Sequence, residues 1–243
     1  MPTPSDGYYI DGRRVPSVTT IIGTGLGGFS KDALMAWAWR EGKEGRDYKQ
    51  TSQKAADIGT VAHAMIECFL NGSLYIPTLE HEPLVPEAQP CFDAFQEWHS
   101  THDIVIHEQE IRLTSSRHKF GGTFDALGTL DGVPALFDWK SSKGLYGSYA
   151  VQISAYYMLI TENRPQSDWP RTVAIVRVGK DGKLNVAQID RKDLAMPWDV
   201  FLHAKAIYQA RYELDKLIKP AAIQIVREVP TLPTVAAEEV KIA

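Results

Sequence analysis

The chain has very little cysteine. Cys68 and Cys91 are the two thiols in 243 residues, a length that buries a sizeable core without covalent staples. They are read as free cysteines in a reducing cytoplasm, and two thiols cannot supply the four thiolates of an iron–sulfur cluster. No stretch approaches the roughly 20 apolar residues of a membrane span, and no signal peptide opens the sequence, so no membrane role is expected. Internal repeats and low-complexity blocks are missing too. Residues 71–110 hold eight acidic residues and no lysine or arginine, whereas residues 161–220 hold eleven basic against eight acidic. The formal net charge of −4 therefore conceals an uneven distribution, and distribution decides which partners a surface attracts.

What is present concentrates in residues 121–156, GGTFDALGTLDGVPALFDWKSSKGLYGSYAVQISAY. GTFDALGTL reads as a strand, Asp131-Gly132 as a two-residue hairpin turn, and VPALFDWKSS as the returning strand. Side chains alternate along a strand, so Asp138 and Lys140 share a face, about 6–7 Å apart, while Trp139 turns the other way into packing. A hairpin can bring Asp125 near Asp138. Ser148 is the expected N-cap of the next helix, on which Gln152 and Tyr156, four apart, share a face. Two carboxylates on adjacent strands suit magnesium or manganese. A lysine beside them can hold an attacking water or balance charge on a phosphorane-like transition state. This is a minimal set for metal-assisted phosphodiester hydrolysis. Asp-x-Lys also occurs by chance as a solvated pair, but here it ends an apolar run, where unpaired charge is costly.

Residues 8–22 read as a short hairpin, YYI, Asp11-Gly12 and VPSVTTII, followed by GTGLGG. Gly23, Gly25 and Gly28 satisfy the spacing of a dinucleotide fingerprint, although no run of strand–helix units follows to build a doubly wound sheet; a connector is the better reading. Ser30 would cap a helix, KDALMAWAWREG, whose Trp37, Arg40 and Lys43 offer an aromatic and basic edge to a nucleic-acid backbone, or else form a solvated face. Residues 52–70 form the strongest helix candidate, with Val61, Ala62, Met65, Ile66, Phe69 and Leu70 inward. His63 and Glu67 lie on one line of it, and Gly59 one turn before His63 permits close approach of another backbone or a substrate. Residues 86–100 read as an amphipathic helix and DIVIHEQEIRL as a strand carrying Glu110. RTVAIVRVG and KLNVAQID form a second hairpin, residues 191–217 a long helix, and residues 220–243 a mobile or docking tail.

The sequence resembles the PD-(D/E)xK nuclease superfamily, and within it the RecB-like branch with its Cas4-type and mitochondrial-genome-maintenance-type exonucleases. The likeness runs over roughly residues 8–190. It is carried by Gly59-Thr-Val-Ala-His63, GGTFD with Asp125, the strand ending in Asp138-Trp-Lys140, and Gln152-x-x-x-Tyr156; YYIDGRRVPSVTTII is similar to the start of standalone phage and mitochondrial members. The resemblance implies an α/β, restriction-endonuclease-like core, a mixed central sheet flanked by helices, in residues 51–219. Residues 1–50 would be an N-terminal elaboration over the active face. It implies one or two Mg2+ or Mn2+ ions held by His63, Asp125, Asp138 and the Trp139 carbonyl. Lys140 would act on the water, Gln152 and Tyr156 on the phosphate or on Lys140, and Glu67 and Glu110 would support the ligands. The activity implied is a DNA exonuclease on single-stranded or frayed ends, in the cytoplasm of a bacterium or phage-infected cell, with a recombinase, annealing protein or helicase as partner. An endonuclease, a non-catalytic nucleic-acid module and a nucleotide-using enzyme built on GTGLGG are the other readings.

Overall fold

The computed structural model describes residues 7–27 and 31–218, the side chain of Tyr212 excepted. Ser30, Gly28 and the expected tail of residues 220–243 lie outside the described residues. Among the described residues no helix is long and apolar enough to cross a membrane.

A five-stranded mixed sheet runs in the order β3 (Ile104–Ser115), β4 (Phe120–Leu130), β5 (Val133–Lys140), β6 (Thr172–Val178), β7 (Leu184–Asp190). All neighbours are antiparallel except β5 and β6. That parallel pair needs a crossover, which α5 (Gly147–Asn163) provides. The Asp131-Gly132 turn closes β4 on β5 with positive φ at both residues, 51° and 74°, the condition for the hairpin turn whose twist matches its strands. Because β5 lies inside the sheet with helices on both faces, its residues from Ala135 to Trp139 are all buried.

One face packs on α3 (Tyr48–Leu70) and α4 (Val85–Ser100), through Val61, Ile66, Phe95, Trp98, Phe137 and Trp139. The other packs on α1 (Val18–Gly25), α5 and α6 (Ala195–Leu217), through Val18, Ile21, Phe120, Phe124, Leu136, Leu159 and Phe201. The result is the α/β architecture expected, a mixed sheet between helical layers. α2 (Lys31–Lys43) stands outside these two layers and is largely exposed, with Glu41 its one buried residue among those described.

Three local expectations are corrected. VTTII is not a strand but the start of α1: after β1 (Tyr8–Ile10) and β2 (Arg13–Val15), the Ser17 hydroxyl accepts from the Thr20 amide at 3.0 Å. A β-branched run looks like strand, but this cap and the burial of Val18 and Ile21, three apart, decide for helix. Gly23 and Gly25 are therefore helical, not part of the expected connector, and form no phosphate loop. A β-carbon on Gly25 would stand 2.6 Å from Ala204, so that glycine serves close helix packing. Finally, α5 begins one residue before Ser148, flanked by Tyr146 with no side-chain capping bond.

Candidate active site

β4 and β5 pair regularly from Leu130 and Val133 to Ala126 and Phe137, where the ladder ends. Beyond it the Asp125 carboxylate takes over: its Oδ2 accepts from the Trp139 amide at 2.6 Å. That contact holds Asp125 beside Asp138, and both are buried. The Lys140 ammonium lies 2.5 Å from Asp138 Oδ2, yet off hydrogen-bond direction, so this oxygen is a buried acceptor with no directed donor. Lys140 also sits 5.0 Å above the ring of Tyr149. Trp139 turns away, stacked on Phe137 and edge-on to Phe95.

α3 brings His63 to the same place, with Nδ1 4.0 Å from Asp125 Oδ1. Gly59 is where α3 meets the loop after β5, because a β-carbon there would stand 2.5 Å from Ser141 Oγ. The close approach at Gly59, expected of another backbone or a substrate, is made by the Ser141 side chain. A cleft of about 1300 Å³ opens alongside. His63, Glu67 and Glu110 line it together with Lys140, while Lys143 comes from the β5–α5 loop, Arg177 from β6 and Lys180 from the β6–β7 turn.

Burial dominates the electrostatics. It pushes His63 down to about 3, with Lys140 adding to the effect, so the imidazole is neutral at pH 7. Burial raises Asp125 and Asp138, against the opposing charge of Lys140. Burial pulls on the Lys140 ammonium in the other direction, but Asp138 and Asp125 outweigh it and hold the amine protonated. Glu110 is pushed up to about 8 by burial and by the charges of Asp125 and Glu67. Its backbone adopts a left-handed φ of 52°, uncommon for a residue with a side chain.

Several expectations need correction. Glu110 lines the cleft beside Glu67, and its charge is opposed by Asp125 and Glu67, while Lys140 is held by Asp138. Gln152 and Tyr156 do share a face, but the Gln152 amide donates to the Tyr156 hydroxyl at 2.9 Å and both are buried. Tyr156 packs against Phe124, and the pair presents no open surface to a phosphate. Trp37 is half-buried, edge-on to Tyr48; the exposed indole of α2 is Trp39, 65% accessible, with Lys43 4.6 Å over its ring. Arg40 is exposed, and none of Trp37, Arg40 and Lys43 is among the residues lining the cleft. His118 packs on Trp198 and lies 3.6 Å from Glu162.

Two contributors escaped the sequence reading. Tyr149 lies three residues before Gln152, and its spacing could have suggested it. Arg177 pairs in register with Lys140 on β6 and is buried, donating to the Ser142 carbonyl at 2.7 Å, Asp181 Oδ1 at 3.0 Å, and the Lys183 carbonyl and Asn185 at 3.2 Å. It ties the loop behind Lys140 to the β6–β7 turn. Only the parallel pairing of β5 and β6 could reveal that role.

No protein-family profile and no curated protein matches this chain. Solved structures similar to it include the "Putative exonuclease" of Eubacterium rectale, at 12% identity and TM-score 0.42 over 77% of each chain. The alkaline exonuclease of Laribacter hongkongensis is similar at 14% identity and TM-score 0.26, over 68% of this chain and 92% of that one. Its dAMP complex gives 14% and 0.27 over 68% and 88%. Likeness at this level concerns the path of the chain; what the site can do rests on its own residues.

Proposed function

We propose that this protein is a divalent-metal-dependent DNA nuclease, an exonuclease acting on single-stranded or frayed ends. The observation that carries the reading is the convergence of Asp125, Asp138, Lys140 and His63 from two strands and a helix, with the two carboxylates buried behind a cleft that Lys140 and His63 line.

Whether the residues suit a metal ion can be judged from their donors. Asp125 gives Oδ2 to the Trp139 amide and turns Oδ1 toward His63. His63 is neutral, the form that ligates. Asp138 Oδ2 is buried without a directed donor. Among the described residues no three His, Cys, Asp or Glu side chains stand together as a finished cage. Carboxylate oxygens with one imidazole nevertheless suit magnesium, which keeps several waters and needs few protein ligands, or manganese. The holders would be His63, Asp125, Asp138 and the Trp139 carbonyl. Such an ion supplies a nucleophilic water at neutral pH and offsets charge at the phosphorus.

The chain's own residues do the rest. Lys140, kept protonated by two carboxylates, positions the attacking water or stabilises the charge that develops on the phosphate oxygens. Asp138 restrains the ammonium, and the Tyr149 ring walls its other side. Trp139, locked among Phe95, Trp98 and Phe137, fixes the strand end from behind. The exonuclease reading is supported by the lack, among the described residues, of a basic helix placed to read base edges. α2 instead offers Trp39, Arg40 and Lys43 to a backbone and its bases without regard to sequence.

Substrate topology tests this. With magnesium or manganese, linear single strands should shorten progressively while a closed circle of the same sequence survives. Rapid cutting of the circle would sink the exonuclease reading and leave the hydrolysis standing; no cleavage of either would sink both.

A further inference from the structure

Gln152 and Tyr156 are turned inward, but Tyr149 in the first turn of α5 and Tyr146 just before the helix present two aromatic rings beside the end of β5. Tyr149 lines the cleft, and its ring lies 5.0 Å from the Lys140 ammonium. Tyr146 meets Tyr149 edge to face, with centroids 5.5 Å apart and planes at 71°. Tyr146 is 53% accessible. Its ring tip lies 3.9 Å from where a β-carbon on Gly144 would stand, so the loop passes close beside it. An edge-to-face pair covers at most one face of each ring. Tyr146 therefore keeps an open aromatic surface and is braced by Tyr149, so little freedom is lost when something stacks on it.

Lys140 leads through Tyr149 to Tyr146 in two steps of 5.0 and 5.5 Å. Cationic Lys143 lies in the same loop and lines the same cleft. A ligand that suits this line carries an anionic phosphate at one point and a flat, polarisable ring beside it. We propose that Tyr146, held by Tyr149, stacks on the unpaired nucleobase adjoining the phosphate that Lys140 acts on, and so selects single-stranded or frayed DNA over closed duplex. The inference rests on the nuclease reading and deepens it. Every base has a π face, so such a platform tolerates any sequence. A base within a duplex is already stacked on both sides and cannot use it.

The test uses the full chain with magnesium and linear single strands carrying 2-aminopurine or an abasic residue at successive positions near the end. Tyr146→Ala should raise KM about tenfold with kcat within twofold of the parent, and Tyr146→Trp should restore KM. An abasic residue at the stacking position should raise KM equally on the parent and add nothing on Tyr146→Ala. Quenching of 2-aminopurine at that position should vanish in Tyr146→Ala and persist in cleavage-deficient Lys140→Ala. Cleavage by the parent with KM and quenching unchanged in Tyr146→Ala would overturn the stacking and leave the hydrolysis intact. Quenching that depends on Tyr146, in a parent that cleaves nothing, would support the platform and overturn the hydrolysis. A parent that neither cleaves nor quenches overturns both.

Discussion

At the scale of single residues, the Asp138–Lys140 pair dominates expectation. Asp138 is buried and Lys140 half-buried, with side chains 3% and 13% accessible, so removing one leaves the other uncompensated, a loss of up to about 3–5 kcal/mol in such settings. Lys140→Ala should therefore lower stability as well as activity, whereas Lys140→Met combined with Asp138→Asn should regain most of the stability. Both should lose cleavage by about 100-fold or more. Thermal unfolding measured beside turnover separates the two effects; a Lys140→Ala protein that cleaves within a few-fold of the parent removes Lys140 from the mechanism. His99 gives a second prediction away from the site. Its ring contacts Phe69 and Phe95 at 5.2 and 5.9 Å, and burial holds its pKa below the ordinary 6.5. Below pH 6.5 the unfolded chain binds this proton more readily than the folded one, so stability present above 6.5 declines as pH falls. Urea midpoints should drop less between pH 7.5 and 5.5 in His99→Phe than in the parent.

At the scale of elements, two adjacent glycines on β4 set what approaches each face. A β-carbon on Gly121 would stand 2.4 Å from the Tyr8 ring, and one on Gly122 would stand 2.7 Å from Tyr156. Tyr8 reaches over β4 to share a hydrogen bond with the Thr123 hydroxyl at 2.8 Å. Gly121→Ala should loosen the β1–β2 hairpin and lose that bond. Gly122→Ala should push on α5 and shift Gln152 and Tyr156 behind β5. Each substitution should cost about 1–3 kcal/mol by overpacking, read as a fall in denaturation midpoint. Gly122→Ala should also lower turnover, because α5 carries the Tyr149 ring against Lys140; turnover unchanged in Gly122→Ala would mean that α5 does not set the position of Lys140.

At the scale of the whole molecule, the proposed function requires a chain of net charge −4 to hold a polyanion through local charge. The basic side chains near the cleft are few: Arg177 is already engaged by Asp181, and the Lys180 ammonium donates to the Ala55 carbonyl at 2.6 Å. Lys143 and the exposed cations of α2 remain, beside Lys140 at the end of β5, which Asp138 restrains. The salt dependence of KM should accordingly be shallow, with a slope of about two to three phosphate contacts on single strands, where each contributes about 0.7 to the logarithmic slope. Turnover assayed from 50 to 300 mM salt measures it, and a steep slope would point to a much larger contact surface than the cleft and α2 provide.

The hairpin from residue 121 to 140, the alternation that puts Trp139 in the core and Asp138 and Lys140 opposite it, the α3 helix with its inward stripe, and the α/β class were all legible in the sequence. They depend on short-range physics: turn residues with positive φ, two-residue alternation, and 3.6-residue periodicity. The nearness of Asp125 to Asp138 followed from the hairpin as well. What tertiary structure alone decided is what lies opposite each side chain. VTTII became a helix because α5 and α6 offer it a surface, and Gln152 and Tyr156 turned inward because β4 approaches them through Gly122. The exposed tryptophan of α2 is Trp39, because the face bearing Trp37 meets Tyr48. Arg177 reached the Lys140 loop because β6 pairs in parallel with β5. Such contacts join residues tens of positions apart, and local sequence pattern does not encode which surface a packed neighbour will present.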